Sequence, residues 1–180
     1  MEKVIIVGGG TLGRFVLEIV ERINEMECVG FLDDSFDNVK RILGYPILGK
    51  VNQVDEFRDY HLTLGIGSPD YRQKTFGIWE QKGLKVATII DPTALISKRS
   101  IVNEGAIIGP FTTVLVDSEV GKGVCILSYV NINQNVQIGS YSLIGAASIL
   151  GNDVEIGIGC HIGLGSKLMK GESLNDWEER

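Results

Sequence analysis

From Ile90 onward an aliphatic residue occupies every sixth position. The series Ile90, Ile96, Val102, Ile108, Val114, Val120, Ile126, Ile132, Ile138, Ile144, Leu150, Ile156, Ile162, Leu168 has no exception. Four residues after each member, through Ile162, stands a small residue, from Ala94 and Ser100 to Cys160 and Ser166. Glycine commonly follows the aliphatic position, as at Gly109, Gly121, Gly139 and Gly145. A helix would need apolar positions three and four apart, and an alternating strand a period of two. Neither fits. The pattern predicts a chain that turns a corner every six residues, so that three repeats close one triangular coil and successive coils stack at about 4.8 Å. Aliphatic side chains fill the prism, small ones fit near its corners, and glycine and asparagine near the corners permit positive φ. This predicts a parallel β-helix over residues 90–170, a little over four coils. Residues 171–180 follow as a polar C-terminal tail that either caps the open end or is disordered.

Residues 1–89 carry a different pattern. KVIIV predicts a short buried strand, RFVLEIVERINE a helix, Cys28–Leu32 a second strand, GYPILG a loop, HLTLGIG a strand, YRQKTFGIWEQKG a helix and KVATII a final strand. Such alternation predicts a small α/β unit. Gly8, Gly10 and Gly13 form GxGxxG between strand and helix, where backbone N–H groups approach a phosphate at the helix N-terminus. Asp33 and Asp34 end the second strand, where an acid accepts hydrogen bonds from a ribose or a base edge. The same residues would also serve a plain tight turn and a solvated loop. A dinucleotide fold needs two mononucleotide halves and only one is present, so a nucleotide or nucleotide-sugar fits better than NAD. A second loop from strand to helix carries Gly67, Ser68 and Arg72. Arg72 or Lys74 either offsets phosphate charge or is ordinary helix-surface charge.

Composition then narrows the function. The chain has 180 residues, 44% hydrophobic but only 7% aromatic, as a prism lined with aliphatic and small residues requires. With 23 acidic against 17 basic residues the formal charge is -6, which leaves no excess to neutralise nucleic acid or an anionic membrane. No apolar run approaches the roughly 20 residues of a membrane helix, and the N-terminus lacks a signal-peptide pattern, so a cytoplasmic location is expected. Cys28, Cys125 and Cys160 are odd in number, far apart and without CxxC spacing, which argues against a disulfide framework or a zinc knuckle. Two histidines, His61 and His161, exclude a three-histidine metal site within one chain, and no metal is expected.

The segments VGGGTLGR, FLDD, GYPILG and LGIGSPDYRQK, joined through IIDPTALIS to hexapeptide repeats, resemble the sugar O- and N-acetyltransferases of bacterial glycan synthesis. That hexapeptide-repeat family includes the sialic acid O-acetyltransferase type and the enzymes that acetylate UDP- or GDP-linked amino sugars. The resemblance covers almost the whole chain. It implies a Rossmann-like half-domain holding a nucleotide-sugar at Gly8, Gly10, Gly13, Arg14, Asp33, Asp34, Gly67, Ser68 and Arg72. It also implies a left-handed β-helix, a homotrimer, and acetyl-CoA as co-substrate between neighbouring β-helices, near Leu143, Gly151, Asn152 and His161.

Relatives carry a catalytic stretch His-Asp-Cys-x-Ile-Gly, and the matching residues here are Gln134, Asn135, Val136, Gln137, Ile138 and Gly139. Their second histidine falls at Leu143. A glutamine amide orients a nucleophile but accepts no proton near neutral pH. The resemblance therefore implies Gln134 and Asn135 as orienting groups, flanked by Asn133, in an acyl transfer to an amine, which needs less help than a hydroxyl. The alternative is a non-catalytic trimeric relative that binds a nucleotide-sugar or serves as a scaffold. His161, eighteen residues past Leu143, either stands in for the second histidine one coil up or is an exposed corner side chain. His61 is expected to be structural. Relatives also continue with further coils that help to bind the adenine end of CoA.

Overall fold

Apolar strands alternating with helices in the first half of the chain produce a twisted sheet. The computed structural model describes residues 1–35 and 37–180. Strand β1 (Glu2–Val7) leads into helix α1 (Thr11–Val20), followed by β2 (Met26–Leu32), the short β3 (Arg41–Ile42) and β4 (Tyr45–Gly49). A 3-10 turn at Val51–Phe57 precedes β5 (His61–Leu64) and α2 (Pro69–Gln81). The sheet order is β3-β4-β2-β1-β5, parallel except for the β3–β4 hairpin. GYPILG, expected as a loop, is thus largely strand β4, because Ile47 buries against the core of the sheet. α1 buries Val16, Leu17, Ile19 and Val20 on one stripe and ends before the predicted boundary, in a turn that sends Arg22 outward.

From Ile89 the chain winds into a prism with three faces of five parallel two-residue strands each. The first face runs Ile89–Ile90, Ile107–Ile108, Cys125–Ile126, Leu143–Ile144 and His161–Ile162. The second starts at Leu95–Ile96 and ends at Lys167–Leu168, and the third runs from Ile101–Val102 to Ser173–Leu174. Coils are joined as the backbone demands: Cys125 N–H donates to Ser142 O (2.9 Å) and Leu127 N–H to Ile144 O (3.0 Å). The repeating aliphatics form one continuous core from Ile108 to Leu174. Hydroxyls at the small position are buried but paired. Ser142 Oγ donates to Gly157 O (3.0 Å) and accepts from Cys160 N–H (3.0 Å), bridging coils.

Three expectations change. Residues 171–180 are not a polar tail: Leu174 enters the core, Ser173–Leu174 pairs with Glu155–Ile156, and Glu179 bridges to His161. KVATII is divided, with Val86 bridging β5 and Ile89–Ile90 opening the prism. Positive φ falls at every sixth residue from Gly105 to Trp177, between 56° and 72°, and not at the glycines after the aliphatic position. Those glycines answer another need. A Cβ on Gly121 would lie 2.6 Å from Ser140 N in the next coil, and one on Gly139 would strike the backbone of Gly157.

The α/β unit covers the first face. Leu12 and Phe15 of α1 pack in one cluster with Ile107, Cys125, Leu127 and Leu143. Outward residues of that face are fully buried at Ile107 and Cys125, whereas Leu95 on the second face is 61% exposed. Arg22 forms an ion pair with the buried Asp91, whose other oxygen accepts Thr93 N–H (2.9 Å), fastening α1 to the first corner of the prism. None of the described helices is long and apolar enough to cross a membrane.

Candidate ligand cleft

The glycine loop is shaped by contact with its neighbours. Gly8 (φ 94°) donates to Leu32 O (2.8 Å), and a Cβ on Gly13 would enter the carbonyl of Gly8. Gly65 closes the crossing, since its Cβ would lie 2.5 Å from Gly8 O and 2.6 Å from Gly13 Cα. Gly10 differs: nothing lies within 4 Å of the position a Cβ would take. Asp33, placed as a ligand acceptor by its position after β2, braces this loop. Its Oδ2 accepts Gly9 N–H (2.7 Å), while Oδ1 accepts the N–H (2.8 Å) and hydroxyl of Ser35. Burial pushes its pKa up, but the bonds from the Ser35 hydroxyl and from the Gly9 and Ser35 N–H groups outweigh this and hold it below the ordinary value. Arg14 turns its Nε back to Gly9 O (3.4 Å). Asp34 accepts Val51 N–H (3.1 Å) and borders a 420 Å³ cavity with Lys50, Tyr71 and Trp79.

Arg72 is not available to a phosphate. It is fully buried, donating from Nε to Gly123 O (2.6 Å) and from one terminal nitrogen to Leu64 O (3.1 Å) and Ile66 O (2.9 Å). It therefore bolts the loop after β5 to a corner of the prism. Desolvation pushes its pKa down from the usual value. The sequence placed Arg72 correctly at the start of α2 but carries no signal that this side chain turns inward.

Two cavities adjoin where the α/β unit meets the first face. An apolar one of 380 Å³ is lined by Thr11, Leu12, Phe15, Gly67, Leu127, Ser128, Leu143 and Ala146. It brings together the helix N-terminus after the glycine loop, the second loop, and Leu143 on the first face of the prism. A polar one of 250 Å³ is lined by Ser68, Pro69, Asp70, Gly159, His161, Trp177 and Glu179. Leu143 and His161 pair in register on adjacent coils. His61 sits at the start of β5, 3.5 Å from the Glu2 carboxylate.

Gln134 and Asn135 lie elsewhere. They occupy the corner between the second and third faces, across the prism from the covered first face. Both are exposed; Gln134 N–H donates to Asn152 Oδ1 (3.3 Å), and Asn135 Nδ2 donates to Asp153 Oδ1 (3.0 Å). Gly151 and Asn152 stack one coil above, on this same edge. The residues expected at the co-substrate thus divide: Gly151 and Asn152 accompany Gln134, while Leu143 and His161 belong to the cleft.

Residues 3–77 match the PglD N-terminal domain. GDP-perosamine N-acetyltransferase of Escherichia coli O157:H7 is 24% identical over 142 residues, which are 76% of this chain and 64% of that protein. The chain is similar to the hexapeptide-repeat sugar acetyltransferases. The matched region spans about two thirds of the length of that curated acetyltransferase. Among solved members of the fold is a histidine-to-alanine variant of GDP-perosamine N-acetyltransferase from Caulobacter crescentus with CoA and GDP-perosamine. It superposes with a TM-score of 0.91 at 23% identity, covering 98% of this chain and 84% of that one. The acetyltransferase domain of PglB from Neisseria gonorrhoeae, with acetyl coenzyme A, gives a TM-score of 0.79 at 20% identity, covering 97% and 93%. Because both superpositions span nearly the whole chain, the α/β unit and the prism share the fold of those proteins.

Proposed function

We propose that the protein transfers an acetyl group from acetyl-CoA to the amine of a nucleotide-linked amino sugar, as a homotrimer in the bacterial cytoplasm, during surface-glycan synthesis. One observation carries the reading. Thr11 and Leu12 at the start of α1, Gly67 of the second loop and Leu143 line a single cleft, while Gln134 stands on the opposite edge of the prism in the same chain. A second copy would supply that edge, which is what a three-fold assembly of prisms does. The nucleotide-sugar then lies along Gly8, Gly10 and Asp34 with its sugar toward Leu143, and backbone N–H groups near Gln134 of the neighbour offer hydrogen bonds to the oxyanion. The cleft wall fits this assignment, since Leu12, Phe15, Leu127 and Leu143 give the sugar ring an apolar seat and Thr11 and Ser128 offer hydroxyls. An amine acceptor suits a site with glutamine at the usual histidine position, because its neutral fraction is nucleophilic without a strong base. The relatives' GDP-perosamine is the first substrate to try.

Incubation with acetyl-CoA and a panel of GDP-, UDP- and dTDP-linked amino sugars should release free thiol and leave an N-acetylated sugar detectable by mass spectrometry. Nucleotide-sugar binding with no thiol release across the panel would overturn catalysis and leave a binding protein.

A further inference from the structure

His161 is the sole histidine on the prism, and its side chain is exposed in the polar cleft. Register sets it directly above Leu143, about 4.8 Å along the axis. Gly67 lines the apolar cleft and the next residue, Ser68, lines the polar one, so the two cavities meet across one peptide. The apolar cleft contains no proton acceptor of its own beyond two hydroxyls, and Gln134 supplies none. Asp70, from the first turn of α2, and Glu179, bridged to the backbone of His161, are the charged groups lining the polar cleft. Two carboxylates there would draw the substrate's amino group toward this side of the cleft.

Resting on the function proposed above, we propose that His161 is the proton acceptor of the transfer. The amine nitrogen attacks the thioester carbonyl, forming the C–N bond while the carbonyl electron pair moves to oxygen. The nitrogen's proton passes to the neutral imidazole. As the carbonyl reforms, the C–S bond breaks, the sulfur leaves with the electron pair, and the imidazolium returns the proton to it. Amide, thiol and neutral imidazole result.

Histidine labelled with 15N gives two sets of ring-nitrogen signals, assigned by loss of one set in His161→Gln. Titration with a GDP-linked amino sugar should move the His161 signal and leave His61 in place. Binding seen by calorimetry without movement of the His161 signal overturns the proposal. In the thiol-release assay, His161→Gln should lower kcat about 10²- to 10⁴-fold and remove the acidic limb of the pH profile, with an unchanged melting temperature. Full activity in His161→Gln overturns the role of this residue alone. No turnover by the unaltered protein overturns the acyl-transfer reading, and the role with it.

Discussion

Replacing Arg72 with methionine removes three buried hydrogen bonds, to Gly123 O (2.6 Å), Ile66 O (2.9 Å) and Leu64 O (3.1 Å), without emptying the space. Bonds from a charged donor are worth about 1.5–3 kcal/mol each, so the gross loss is roughly 5–9 kcal/mol. Part is recovered, because no carboxylate is among the partners of this buried guanidinium and its desolvation costs several kcal/mol. Methionine also keeps the apolar contact with Phe76, whose ring centroid is 5.7 Å from the guanidinium carbon. The net expectation is about 2–4 kcal/mol of destabilisation, and for a chain of this size a fall in Tm of roughly 5–15 °C. Lysine should rescue little, since one ammonium on a flexible stem does not reproduce the planar fork. Differential scanning calorimetry reads the Tm, and nucleotide-sugar affinity is measured below the transition. A Tm within about 2 °C of the parent together with weakened nucleotide-sugar binding would refute the bolt and return Arg72 to the ligand.

The glycines of the loop should separate in the same way. Gly13→Ala forces a methyl into Gly8 O and should cost about 1–3 kcal/mol by denaturant unfolding, whereas Gly10→Ala should melt as the parent does but weaken nucleotide-sugar binding. Equal stability losses at both positions would contradict this division. Asp33 sets a pH window. Its folded pKa lies below the unfolded value near 4, so its contribution is complete above that value and is lost as pH falls through the folded pKa. The stability gap between the parent and Asp33→Ala, read from unfolding at stepped pH, should be constant from pH 8 to 5 and narrow only below about 4. Narrowing between pH 6 and 5 would sink the assignment.

The prism was legible because its rule is strictly local: an aliphatic every six residues has one packing solution, and it predicts the interior from Val114 to Leu168. The rule's end was misjudged, since ESLNDWEE reads as polar even though Leu174 keeps the aliphatic phase. The phase of positive φ was also missed. Phe111, Tyr129 and Trp177 adopt it, and bulky residues give no hint of a left-handed backbone. The glycine loop could be read from spacing, but the part of Asp33 could not, because Gly9 N–H comes to it across the sheet. One overlooked signal was present. Read every eighteen residues, the outward positions Ile89, Ile107, Cys125 and Leu143 are apolar where Thr113, Asn131, Glu119 and Gln137 are not, which marks the covered face.

Two moduli coexist in the prism. Loss or gain of six residues leaves the aliphatic rule satisfied, and the coils still stack. Yet every later side chain then moves to the next face, so His161 would no longer stand over Leu143 and the edge at Gln134 would change its partner coil. Only steps of eighteen preserve both. The fold therefore tolerates length changes that its chemistry does not, and a homologue differing by one hexapeptide between Leu143 and His161 would keep the architecture while losing the cleft.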